Sequence, residues 1–164
     1  MFAKTVRRLA LIAAAPALLG LSVATPAQAG SGPAVIPVDE LSSMIVLQTN
    51  LRRERLGCGP LALDPELALA SERQSWYMAT TGRFSHVGRD GSTFVTRARA
   101  AGYTQPAGEN IAWGYRDATQ VMDAWMLSPE HRANIVDCDV RSIGIGVVYG
   151  RSGVPYYTQM FGRL

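Results

Sequence analysis

The chain contains only two histidines, and each sits beside residues that can do chemistry. His86 closes the run Phe84-Ser85-His86, and His131 lies within Ser128-Pro129-Glu130-His131-Arg132. A carboxylate, Glu109, follows Gly108 directly ahead of Asn110–Ala112. Imidazoles and carboxylates are ordinary zinc ligands, and loops and helix starts are where such groups share a cleft. The positive end of a helix disfavours imidazolium, so a ring at position 131 should stay neutral with a lone pair to offer. Spacing alone does not demand a site. No His-Glu-x-x-His run is present, and hydrogen-bonded structural histidines are common. Ser85 beside His86 is not a nucleophile–base pair, because neighbouring side chains in an extended segment diverge and no third group orients the ring.

These residues need a scaffold, and the spacing of apolar side chains predicts one. Asp39–Gly57 reads as a helix with Asp39 as N-cap and Leu41, Met44, Ile45, Gln48 and Leu51 on one face. Asp64-Pro65 opens a second helix, whose stripe is Leu67, Ala70, Ser71, Gln74, Tyr77 and Met78, and Gly82 stops it. Residues 84–91 form a loop, and Ser92 caps a short helix ending at Gly102. After a turn at Pro106–Gly108, Glu109–Tyr115 is extended. Asp117 caps a helix carrying Ala118, Val121, Met122 and Trp125, and Ser128-Pro129 opens another over Glu130–Ile135. Ser142–Tyr149 and Val154–Phe161 form a β-hairpin around Gly150–Gly153. Helices first and paired strands last describe a layered α+β domain. Asn110 and Asn134 suit backbone hydrogen bonding, and Trp76, Trp113 and Trp125 suit the core or a cleft wall. Of Tyr156 and Tyr157, only one can face the core.

Composition narrows the setting. At 164 residues, 48% hydrophobic and 18% charged, the chain is one ordinary globular domain. Cationic Met1–Arg8, apolar Leu9–Ala24 and Ala27-Gln28-Ala29 read as a signal peptide over 1–29, with cleavage after Ala29. Its apolar zone falls short of the ~20 residues of a spanning helix, so no membrane anchor is expected after cleavage. Residues 30–38 read as a flexible arm and 39–164 as the domain. Removing the three leader cations from sixteen leaves thirteen against thirteen acids, which argues against nucleic acid or anionic lipid as partner. Outside the cytoplasm Cys58 and Cys138 are a disulfide candidate, worth about 4 kcal/mol for a loop of this length; two separate buried thiols are the alternative.

Several segments together resemble the bacterial branch of the CAP superfamily (cysteine-rich secretory, antigen 5 and pathogenesis-related proteins), also called SCP domains. They are Cys58 with Pro60-Leu61, Phe84-Ser85-His86, Gly108–Ala112, Trp125, Ser128–Ile135, Ile143–Val147 and Tyr157–Gly162, in order over roughly residues 40–164. The resemblance implies a three-layer α-β-α sandwich with a small central antiparallel sheet. It also implies a cleft of two histidines and two glutamates able to bind a divalent cation such as zinc. By motif, His86 and Glu109 match the first pair, and His131 and Glu130 stand where the second pair is sought. Bacterial members usually carry Gly-His-Arg where this chain has Glu130-His131-Arg132. Adjacent helical residues point ~100° apart, so His86, Glu109 and His131 make the sharper cluster, with an open fourth position.

Two functions follow. One is a secreted binding or interaction module, extracellular or in the cell envelope and monomeric. Its ligand would be a lipid, a sterol, a peptide or another extracellular partner. The other is a metal-dependent, peptidase-like hydrolase in the same cleft, with Glu109 or Glu130 moving the proton. A cell-wall structural role has no anchoring repeat or sorting tail to support it. Binding is preferred, since catalysis needs everything binding needs plus a placed reacting group.

Overall fold

A computed structural model describes residues 35–164; the expected signal peptide and most of the expected arm lie outside the described residues. Five helices and four strands follow in chain order: α1 Val38–Glu54, β1 Ala62–Leu63, α2 Pro65–Thr81, α3 Phe94–Ala100, β2 Pro106–Trp113, α4 Ala118–Leu127, α5 Pro129–Ile135, β3 Ser142–Tyr149 and β4 Pro155–Gly162. The strands form one sheet in the order β1-β3-β4-β2.

Strand alternation divides the molecule into three layers. Ile143, Ile145 and Val147 of β3 and Tyr157 and Phe161 of β4 pack with Leu41 and Ile45 of α1 and Val121, Met122 and Trp125 of α4. On the other face Met160 packs with Leu67 and Ala70 of α2, Ala98 of α3 and Tyr103. The glycines of β3 explain how closely α2 approaches. A Cβ at Gly144 or Gly146 would run into the α2 backbone at Leu67 and Ser71. In that space Ser71 donates to the Gly144 carbonyl at 3.1 Å and Ser75 to the Gly146 carbonyl at 2.9 Å.

The α+β sandwich is as the resemblance implied, with one correction to its sheet. Strand β1 pairs parallel with β3, through Ala62 with Ser142 and Leu63 with Ile143, so the sheet is mixed and not purely antiparallel. Two residues are too short a run to carry a period, which is why the pattern missed them. Strand β2 begins at Pro106, where a turn was expected. Proline is tolerated there because β2 is an edge strand.

Helix boundaries follow local chemistry. Asp64 accepts from the Leu67 amide and Gly82 ends α2 in the left-handed region, as read. Asp39 falls inside the first turn of α1, and Thr93, with a capping box to Thr96, replaces Ser92 as the cap of α3. The buried face of α1 is Leu41, Ile45, Thr49 and Arg53, whereas Met44 and Leu51 are exposed. Tyr149 donates to the Ile36 carbonyl at 2.9 Å, so the end of the expected arm is tied to the domain.

Arg53 closes the far end of α1. Fully buried, it donates to the carbonyls of Gly59, Ile135, Asp137 and Val140 at 2.7 to 3.2 Å. Burial pulls its guanidinium below its ordinary pKa, with Asp137 partly offsetting the shift. Cys58 and Cys138 form a disulfide that secures the same two segments across 80 positions of sequence.

Candidate functional site

Glu109 organises the site from beneath the surface. Alternation along β2 turns it toward the α2–α3 face, where its side chain is 1% exposed. Arg97 of α3 donates to one carboxylate oxygen at 2.6 Å, and His86 Nδ1 meets the other at 2.8 Å. Both oxygens are thereby engaged. Arg97 is itself buried, and its two terminal nitrogens also reach the carbonyls of Ser92 and His86. One arginine therefore neutralises the buried acid and fixes the loop that carries the histidine. The His86 side chain is 53% exposed, and Nε2 has no hydrogen-bond partner among the described residues. With Glu109 charged, Nδ1 carries the proton and Nε2 the lone pair.

The second histidine is carried by α5, whose Ile135 packs into the opposite layer. Asn110, one residue after Glu109, points the other way and donates to the His131 carbonyl at 3.1 Å and to Gln159 at 3.0 Å. Asn134 donates to the Glu109 carbonyl and to Asn110 Oδ1, and Gln159 donates to Thr49 of α1. This chain of amides locks α5 against the edge strand. A Cβ at Gly108 would strike the Asn134 amide at 2.6 Å, so the glycine keeps room for the lock. His131 is half-buried, and burial lowers its pKa first, with the nearby His86 charge adding to the shift and Glu130 opposing it. Glu130 is exposed.

The expected constellation is thus only partly assembled. His86 and Glu109 are in direct contact, and His131 is near enough to feel His86. Among the described residues, however, no three His, Cys, Asp or Glu side chains stand close enough to hold a metal ion together. Of the four residues expected around an ion, His86 and Glu109 are in contact, His131 lies near His86, and Glu130 is exposed. Consecutive strand residues face opposite layers, and Glu109 already has a cation in Arg97. A zinc centre usually has three or four protein ligands, and the direct contact present among these residues is that of His86 with Glu109.

Sequence reasoning missed Arg97 altogether. Within Thr96-Arg97-Ala98-Arg99 it reads as one more cation on a solvated face. The available signal was the inward-facing acid in a strand, which needs a buried partner. The Ser85 hydroxyl accepts from the Val87 amide at 3.0 Å, and among the described residues it makes no hydrogen bond to His86. Of the three tryptophans only Trp125 is core; Trp76 and Trp113 are each half exposed. Phe84 and Trp113 meet at 6.5 Å between ring centroids, and Trp113 stacks with Tyr156 at 6.3 Å, forming an aromatic surface beside His86.

The profile of the cysteine-rich secretory protein family, CAP, matches residues 47–161 of this chain. The chain belongs to the CAP family. The uncharacterized protein YkwD of Bacillus subtilis (strain 168) is 32% identical to it over 127 residues, 77% of this chain and 49% of that protein. The uncharacterized membrane protein YlbC of the same strain is 32% identical over 114 residues, 69% of this chain and 32% of that protein. This CAP chain therefore spans half or less of the curated relatives it matches. Among solved structures, an extracellular SCP-domain protein from Bacillus anthracis superposes with a TM-score of 0.72 at 28% identity, over 82% of this chain and 45% of that one. An outer surface protein from Borrelia burgdorferi shares the fold, with a TM-score of 0.71 at 19% identity, over 78% of this chain and 96% of that one. No helix among the described residues of the CAP domain is long and apolar enough to cross a membrane.

Proposed function

We propose that the chain is an exported CAP-domain binding module that docks an extracellular peptide or protein segment on the face formed by His86 and the aromatic surface beside it. Export is supported by the leader-like first 29 residues, the disulfide and the extracellular B. anthracis neighbour. The observation that carries binding over hydrolysis is the occupancy of Glu109. With Arg97 on one oxygen and His86 on the other, this carboxylate has a partner on each oxygen and orients an imidazole. His86 then offers a fixed lone pair at Nε2, flanked by exposed Phe84, Val87 and Trp113. Aromatic side chains beside a few oriented polar groups are typical of protein interface centres.

The hydrolase reading keeps one supporting observation, because a carboxylate-oriented histidine is also how a general base is built. It lacks a nucleophile hydroxyl on His86 among the described residues. A random peptide library panned against the protein, with counter-selection on a His86→Ala/Trp113→Ala variant, tests the proposal. Enriched peptides that need both side chains support it. Failure to enrich any, or His86-dependent cleavage of peptides or esters by the purified protein, overturns it. Zinc is tested separately by melting with zinc and with chelator, where a resident ion would raise the midpoint and the present geometry predicts no change.

A further inference from the structure

A second concave site lies outside the histidine cleft. The cavity, about 840 Å³, is walled by α2, α3 and the short 3₁₀ turn Arg89–Gly91, and contains neither histidine. Its volume falls in the range of ordinary ligand pockets. The outer side of α2 gives it Trp76, half exposed on a helix whose other face is packed against the sheet. Four charged side chains share the wall: Glu72 and Arg73 from α2, and Arg89 and Asp90 from the turn. Among the described residues none of the four enters an ion pair. Asp90 has φ 54° and ψ 31°, the one non-glycine residue among those described with a positive φ. That conformation costs about 1 kcal/mol for an L-residue and is tolerated best by Asn and Asp. Two further lining residues hold unspent hydrogen-bonding capacity, since Gln74 Oε1 and Arg97 Nε are buried without partners.

We infer that this cavity binds a short neutral oligosaccharide. Its two free anions and two free cations cancel, so neither an anionic nor a cationic ligand is favoured by charge. A lipid chain would strand all four. A sugar hydroxyl donates to a carboxylate and accepts from a guanidinium at once, and such charge-assisted bonds are the stronger kind. The C–H face of a pyranose ring suits the electron-rich face of Trp76. A peptide is less well served, because helices and a turn form the walls and offer no strand edge to pair with.

The test is titration of the purified protein with chitotetraose, cellotetraose and maltotetraose, read at the three tryptophan indole resonances. At least one saccharide should shift the Trp76 signal saturably while Trp113 and Trp125 stay still. Trp76→Ala and Asp90→Ala should each weaken that binding about tenfold or more, as loss of a stacking or charge-assisted contact predicts. Absence of any shift up to about 10 mM, weaker than which binding is negligible, overturns the proposal. So does saturable binding that ignores Trp76→Ala, or a stronger response at Trp76 to tetra-alanine than to every saccharide. The wild-type titration needs no variant, so a folding defect cannot decide the result.

Discussion

Two buried arginines serve this domain in opposite ways. Arg53 is surrounded by four backbone carbonyls and bonds no carboxylate, so its charge is spread over peptide dipoles that hold the end of α1 to the disulfide-linked segments. Arg97 is matched by the buried carboxylate of Glu109, and the pair presents an imidazole to solvent. A cation solvated by carbonyls ties backbone to backbone and leaves nothing facing outward. A cation matched to an acid leaves the second carboxylate oxygen to orient a third group. The first arrangement is architecture; the second is the base of a site.

The comparison is broken most severely at Arg97. Arg97→Met leaves Glu109 buried and unbalanced, and should cost about 3–5 kcal/mol in urea unfolding. Adding Glu109→Gln should recover a large part, because removing both charges costs less than removing one. A double variant no more stable than Arg97→Met would contradict the charge-matched reading. Replacing Cys58 and Cys138 by serine should cost about 4 kcal/mol, visible as a lower urea midpoint. Arg53→Met should cost about 2–3 kcal/mol through unpaired carbonyls, with no acid whose removal restores it. Because Arg53 and the disulfide hold the same segments, their combined loss should fall short of the sum.

The smallest expected effect is the pH response of His131. Its folded pKa lies below the ordinary imidazole value, from burial first and the His86 charge second. The unfolded chain therefore binds the proton more readily. The corresponding stability is complete above the unfolded value of about 6.5 and is lost as pH falls through the folded one. Melting between pH 7.5 and about 5 should show this decline. His131→Gln should flatten it.

What was legible in the sequence was local or periodic. Helix α2 announces itself through Asp64-Pro65 and Gly82, and the β3–β4 hairpin through its change of period. The pairing of Cys58 with Cys138 needed only two thiols and the expectation of export. His86 and Glu109 were found by motif, and the structure joins them. What escaped was long-range or depended on which way a side chain turns. The parallel β1 pairing rests on two residues, and the amide lock around Asn110 depends on its facing the layer opposite to Glu109. Arg97 escaped because burial of a helical arginine has no signature apart from the acid it meets.

The central claim is that Glu109, held by Arg97, serves as the anchor of His86. Long-range proton–nitrogen NMR of the imidazole rings reads it directly, since the two neutral tautomers give distinct nitrogen shifts. The account predicts a neutral His86 protonated at Nδ1 and bare at Nε2, with that preference lost in Glu109→Gln. A His86 protonated at Nε2 in the wild-type protein would contradict it.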